Sequence, residues 1–529
     1  MNVKHKLNET NKTVNLILLL KISIVLFFHL WTKRGLSLDG AHNLIRMTAE
    51  ESFYFLELSR QSVYFFQQLP AYLMIRYTNF SSLELLTVVF SFGLIWIPIL
   101  SLLGCFLILP DKKKQLIFFP LLFFIIGLLP ALGVSVSAGL SVAGYLWPVV
   151  FMIYYSDLSK ISRKFFFLLT PLPLILSHEM MSYMAPFLIF LCVIRLQFIE
   201  KTKLNCYETK KKTIKSINKQ NKHLILIVIS YLLFICFLAW FFIFFPKPSE
   251  LPNRSEFFNS LLKLEFFFKY NEDKALIIYP AAVTAGLILA FAYISLLKKS
   301  RIKKMIKKIL YVLLFVFGGL SILTPFNSFF PFFKLTGEEE LRVWTASIAL
   351  PLCLLLWYLY EKQTLKIDKA FIKAVLFAGL ALSLWRIGSD YQFYKTQKQI
   401  SKRLENCSGI IPYDKKTAKR LSSLSGSLYH ISSYSLLLQN KIQSIYSLEP
   451  KNDIKLSKLA FNNKQISSIY KKKKSVCYFG EKSYAMCRFF NLEKLNESRF
   501  FNLEQLIHNV QYGGSGCQNH AEEVKKRAK

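Results

Sequence analysis

The chain alternates about eleven apolar stretches, each near the length that crosses a bilayer, with gaps of which every second one is rich in lysine and arginine. An apolar run of about 18 or more residues satisfies its own backbone as a helix and covers roughly 30 Å of hydrocarbon. The pattern predicts spans near 14–31, 85–109, 116–134, 138–156, 165–177, 182–198, 223–245, 275–297, 309–324, 343–360 and 370–387. The connectors around 111–115, 157–164, 199–222, 298–308 and 361–369 carry basic clusters such as Lys112-Lys113-Lys114 and Lys298-Lys299-Ser300-Arg301. Loops enriched in lysine and arginine stay on the cytoplasmic side. The N-terminus, with Lys4, Lys6 and Lys12, belongs with them. The expected fold is therefore an all-α polytopic membrane protein, N-terminus inside, with its C-terminal part outside.

Hydrophobic residues make up 53% of the 529-residue chain and charged residues only 19%, which excludes an ordinary soluble enzyme. The formal charge of +36 would suggest nucleic acid in a soluble protein. Here the cations lie in membrane-flanking loops, where each contributes about 1 kcal/mol against an anionic leaflet. The implied partners are membrane lipids and no nucleic acid. Val14–Trp31 has no small-residue cleavage site after it and reads as a retained signal anchor. Five cysteines (Cys105, Cys192, Cys206, Cys236, Cys353) lie in spans or a cytoplasmic loop. The other four, Cys407, Cys477, Cys487 and Cys517, lie in the outward C-terminal region, which suggests up to two disulfides, with Cys477 and Cys487 the most plausible local pair.

The membrane part is expected to run over 1–387, with outer loops at 32–84, 246–274 and 325–342. The first loop reads as two short surface helices with Arg60 between their apolar runs. From Gly388 the sequence turns polar, and 388–512 is long enough for a small α/β or α+β extracytoplasmic domain. The glycine-rich, charged stretch 513–529 reads as a disordered tail.

Candidate chemistry gathers on the outer side. Asp39, followed by Gly40-Ala41-His42, sits just beyond the first span and can face a cavity at the leaflet surface or cap a helix. His178 and Glu179 lie between two short apolar stretches, and ionisable groups at that depth usually face a cavity or a partner. Arg342 opens the tenth span after Glu338-Glu339-Glu340 and is a candidate anion clamp. Lys21, inside the first span, is expected to reach back to the cytoplasmic headgroups. Phosphate-binding glycine loops, GxSxG and HExxH are absent, as is any Cys/His spacing for a metal.

Asp39-Gly40-Ala41, Arg60, Gln68, Pro70, Trp147-Pro148, Ser177-His178-Glu179 and Arg342 together resemble uncharacterised bacterial polytopic proteins similar to the GT-C glycosyltransferases. The resemblance covers the membrane region and, weakly, Ser432–Leu438. It implies transfer of a sugar from a polyprenyl-phosphate donor to a lipid, glycan or protein acceptor, on the outer face of the bacterial cytoplasmic membrane. Asp39 matches the acidic residue of the first outer loop and would act as base, with Glu179 and His178 as further catalytic groups. Arg342, Arg60 and Gln68 would bind substrate. Many members carry two adjacent acids at the first position; here the second is Gly40, so no metal or other cofactor is assigned. Two other classes fit the same composition: a lipid or polysaccharide transporter or flippase, favoured by the short 165–177 and 182–198 stretches, and a noncatalytic scaffold.

Overall fold

The computed structural model describes residues 2–244 apart from 37–38, 56–59, 130–137, 157, 159, 179 and 205–210. It also describes 305–316 apart from 314, 349–404 apart from 364–366 and 368, and the short pieces 476–478, 488–490 and 500. The described residues form a helical bundle. Its helices are α1 (Asn2–Trp31), α2 (Asp39–Glu50), α3 (Gln61–Tyr77), α4 (Leu83–Gly93), α5 (Trp96–Ile108) and α6 (Phe118–Phe123). They continue as α7 (Ala138–Tyr155), α8 (Ile161–Leu169), α9 (Met181–Leu204), α10 (Lys211–Phe244), α11 (Leu350–Glu361) and α12 (Lys369–Leu404).

Three helical stretches among the described residues are long and apolar enough to cross a bilayer: Thr13–Trp31, Asn221–Phe241 and Ala370–Lys395. The pair α4–α5, bent by 46°, makes a fourth if it is one span. Gly139–Tyr155, Met181–Gln197 and Leu350–Glu361 are shorter apolar helices. The expected spans 275–297 and most of 309–324 lie outside the described residues, as do the outer loops 246–274 and 325–342.

The first and last of these helices run parallel. Contacts between α1 and α12 rise in step: Lys21 with Leu376, His29 with Arg386, Trp31 with Tyr394, and Thr32 with Gln397. Both therefore finish at the same end of the bundle. Lys21 hands its ammonium to the Leu376 carbonyl at 2.8 Å, rather than to headgroups as its place in an apolar run suggests. The described parts of the basic connectors lie at the opposite end. There Lys113 pairs with Glu361 at 2.5 Å, and Trp357 Nε1 donates to the Tyr155 hydroxyl at 3.0 Å. Arg195 donates to the Met152 and Ile153 carbonyls in the last turn of α7 and to that of Ser156 just beyond it. Orphan carbonyls at a helix C-terminus attract cations, so Arg195 closes α7.

Two apolar runs that read as single helices are broken. The 85–109 run bends at Leu94–Ile95, between α4 and α5. The 165–177 run is helical only to Leu169, then passes through a 3-10 turn at Leu172–Leu174 that follows Pro171 and contains Pro173. Proline removes a backbone donor and clashes with the preceding turn, so the helix stops there. The freed carbonyls are satisfied by side chains: Tyr145 Oη donates to Thr170 O at 2.8 Å, and Ser62 Oγ donates to Ile175 O. Ser62 N–H reaches Leu176 O at 3.2 Å, and Leu176 adopts a left-handed φ of 52°. Irregular backbone in an apolar setting survives only with such partners.

The outer-loop helix α3 exposes Phe65, Leu73 and Tyr77 on one side and buries the other. Its Val63, Gln67, Gln68, Ala71, Met74 and Ile75 are buried, and it packs on α4. The core below is aromatic: Trp147, Phe151 and Trp357 are fully buried and in ring contact, Trp147 with Phe151 at 5.7 Å and Phe151 with Trp357 at 5.9 Å. α12 continues unbroken past residue 388 to Leu404. Beyond it the structure describes a small antiparallel pair, Val476–Tyr478 with Arg488–Phe490, in which Cys477 faces Phe489. Most of 388–512 and all of 513–529 lie outside the described residues. Cys477 lies in the first of these strands, whereas Cys487, Cys407 and Cys517 lie outside the described residues, and so does the disulfide expected between Cys477 and Cys487.

Candidate functional site

At the end where α1 and α12 finish together, the chain buries a cluster of charged side chains. His29, Thr32, Arg34, Arg386 and Asp390 are each at most 2% exposed. Helix α1 stops because Lys33 adopts φ 52°, a left-handed helix end, and the chain enters the 3-10 turn Arg34–Leu36. That turn points Arg34 inward, where its guanidinium lies 4.3 Å over the Phe393 ring and 4.0 Å from Asp390. Arg386 and Asp390, one helical turn apart on α12, pair at 3.1 Å. Arg386 Nη2 also lies 2.7 Å from His29 Nδ1. A guanidinium can only donate, so Nδ1 accepts and the ring proton belongs on Nε2. Gln397 Nε2 closes the cluster from above by donating to Thr32 O at 2.8 Å.

The described side chains of this cluster hold two guanidinium groups against one carboxylate. Burying such charges costs several kcal/mol per ion, recovered only by close pairing and hydrogen bonds. The pairing is incomplete among the described residues: Arg386 Nε and Nη1 and both oxygens of Asp390 make no hydrogen bond there. Among the described residues the site is thus a buried patch of two guanidinium groups and one carboxylate, fixed by two helices.

Asp39 begins α2 directly beyond this turn. The turn doubles back tightly enough that a Cβ on Gly40 would overlap the Gly35 carbonyl oxygen, and one on Gly35 would run into Ser91 of α4. Only glycine fits either position. Asp39 therefore opens a helix docked against the Arg34–Leu36 turn, in the first turn, where a carboxylate suits the positive helix end. Lys33 reaches Glu84 at 3.2 Å and ties the same turn to α4.

His178 lies at the same end on the far side of α3 and α4. It is half-buried, its Nδ1 accepts the Met180 N–H at 3.1 Å, and its ring rests against Gly139 at the start of α7. The contacts connecting it to α2 run through α7, α3, α4 and the 3-10 turn. Arg60 sits at the N-terminal boundary of α3. Gln68 is not directed outward: its amide clasps the backbone of Tyr54, donating to the carbonyl at 2.6 Å and accepting the N–H at 2.8 Å. This clasp holds the segment between α2 and α3. Glu179 and Arg342 lie outside the described residues.

No protein-family model, curated protein or solved structure matches the chain. The site rests on its own geometry. The residues that sequence reasoning passes over are His29, Arg34, Arg386 and Asp390. One signal was present: Arg386 and Asp390 have the i, i+4 spacing of a helical ion pair, but they sit where the last apolar run gives way to polar sequence.

Proposed function

We propose that the chain is an integral glycosyltransferase of the bacterial cytoplasmic membrane, moving a sugar from a polyprenyl-phosphate donor to a lipid, glycan or protein acceptor. The basic end, with Lys113, Arg163 and Arg195, is the cytoplasmic one, by the preference of lysine and arginine for that side. Asp39, His178 and the Arg34–Arg386 cluster then lie at the outer face. The reading is carried by one observation: the helix opened by Asp39 is docked on a turn whose other side is a buried cluster in which the described side chains include the Arg34 and Arg386 guanidinium groups.

Such a reaction needs a base for the acceptor hydroxyl and positive potential for the departing phosphate. Asp39 supplies the base. Arg34 and Arg386, dry and fixed, supply potential at low dielectric, where a charge acts over longer distance than in water. They share the task assigned to Arg342. His178 orients the acceptor, the role also assigned to Glu179.

The test is transfer from a polyprenyl-phosphate sugar by the purified full chain. Asp39→Asn keeps the size and removes the proton-accepting charge, and the rate should fall by about 10²–10⁴. Protein yield should be unchanged, because losing one first-turn charge costs only about 0.3–1 kcal/mol. Undiminished transfer by Asp39→Asn would leave Asp39 as a helix-end residue and nothing more. A transporter is the second reading, favoured by the broken 161–178 passage and the bent α4–α5 pair, since discontinuous helices line many transport paths. Movement of a labelled lipid-linked sugar across liposomes without any transfer would select it.

A further inference from the structure

A lateral groove of about 670 Å³ runs between α5, α7 and the broken stretch that follows α8. Its walls include Leu100 and Gly104 of α5, Tyr145 and Pro148 of α7, Phe166 of α8 and Leu174 of the broken stretch. Apart from exposed Ser162 beside Arg163, the hydroxyl and indole groups along it are engaged with the protein itself. Tyr145 Oη donates to Thr170 O, and Ser101 Oγ to Ile97 O at 2.7 Å. Trp96 Nε1 donates to Phe66 O at 2.9 Å, and Ser141 Oγ accepts from Gln67 at 2.8 Å. What remains for an occupant is hydrocarbon surface. Leu103 and Phe106 of α5 and Phe165 and Leu169 of α8, the helices that wall the groove, are exposed.

One end differs. Arg163 lines the groove where α5 finishes, and its Nη2 donates to Leu107 O at 3.3 Å. Lys114 donates to Phe106 O in the same last turn and lies 4.1 Å over the Phe106 ring. Exposed Lys112 and Lys160 lie near in sequence; the acidic residues near in sequence are exposed Asp111 and Asp157, the latter outside the described residues. The α5 wall from Trp96 to Leu107 rises about 17 Å at 1.5 Å per residue. That matches one leaflet, about half of a 30 Å hydrocarbon core.

We propose that this groove seats one hydrocarbon chain of an anionic phospholipid from the leaflet on the basic side, with its phosphate held by Arg163 and Lys114. The positive mouth selects the headgroup, the self-satisfied walls select an alkyl chain, and the length selects one leaflet. The mouth lies at the end opposite Asp39, so the site is independent of the glycosyltransferase reading.

The test uses the full chain reconstituted in nanodiscs of phosphatidylglycerol and phosphatidylcholine, with retained lipid measured by native mass spectrometry. Phosphatidylglycerol should be retained in preference. Arg163→Gln should lower its retention about fivefold, the weight of one cation at an anionic surface. Gly104→Leu should fill the groove and abolish retention, whereas Gly104→Ala, whose added Cβ meets Pro148 at an ordinary 3.5 Å, should retain lipid and control for folding. A photo-reactive residue at Leu100 should label lipid. Equal retention of the two lipids, retention unchanged in Arg163→Gln, or labelling of protein from Leu100 would each overturn the proposal. If Gly104→Leu fails to fold, Arg163→Gln and the Leu100 label decide.

Discussion

The two ends of the bundle use the same residue types in opposite ways. At the basic end Arg195, Arg163 and Lys114 donate to helix-end carbonyls, and the Lys113–Glu361 pair has its lysine 41% exposed. At the other end Arg34, Arg386 and Asp390 are sealed from water. An exposed cation keeps most of its hydration and contributes a few tenths of a kcal/mol to about one. A buried one has no such reserve, so it is tolerated only while its partner stays. The basic end can thus vary freely in lysine number and position, while the other end specifies one arrangement of α1, the Arg34–Leu36 turn and α12. That is the end on which Asp39 depends.

The comparison breaks most visibly at Asp390. Asp390→Asn removes the only carboxylate described in the cluster and leaves two guanidinium groups facing each other. Losing one member of a buried pair costs about 3–5 kcal/mol. Thermal unfolding in detergent should show a large fall in midpoint, with α12 detaching from α1. A midpoint no lower than that of a surface-lysine variant would mean that water reaches this cluster, and the contrast between the ends would fail.

Gln397 tests the same end more gently. Its Nε2 is the donor to Thr32 O, just before the turn. Gln397→Ala leaves that buried carbonyl without its partner, at a cost of about 1–3 kcal/mol. The loss should be local, so hydrogen exchange should accelerate at the Leu36 amide, which now donates to Lys33 O at 3.0 Å. Exchange that rises equally at the basic end would show that the two ends are not independent.

How much of this was readable from the sequence follows from what a local pattern can encode. The 14–31, 138–156 and 223–245 runs become helices because a long apolar stretch has no other way to satisfy its backbone. The 165–177 run carries its own break in Pro171-Leu172-Pro173, yet average apolarity hides it, because an irregular passage can be as apolar as a helix. Gln68 reads as a polar residue in an outer loop; its partner Tyr54 is 14 positions away, and no periodicity marks the pair. Arg386 and Asp390 mark the end of the last run by their charge. Their burial depends on α12 lying parallel to α1, a contact between residues more than 350 positions apart. Asp39 was legible because Gly40 follows it at a membrane exit, but the need for that glycine, the close approach of Gly35, belongs to the tertiary fold.

The smallest effect sharpens the comparison from the basic end. Lys113 and Glu361 join the connector after α5 to the end of α11 at 2.5 Å, with Lys113 Nζ also 5.8 Å from the Tyr155 ring centroid. Glu361 is only 13% exposed, so the pair is the most protected ionic contact at this end among the described residues. Lys113 still reaches water, which caps the coupling near the range for surface pairs, about 0.2–1 kcal/mol. A double-mutant cycle of Lys113→Gln and Glu361→Gln, read from unfolding midpoints, should return a coupling in that range. It should shrink further in 1 M salt, where screening acts over about 3 Å. The Asp390→Asn penalty should hardly respond to the same salt, because no counterion enters a sealed cluster. A salt-insensitive coupling above about 2 kcal/mol at Lys113–Glu361 would instead place this pair with the buried charges, and the basic end would then be a second point of rigid specification rather than a permissive, hydrated rim.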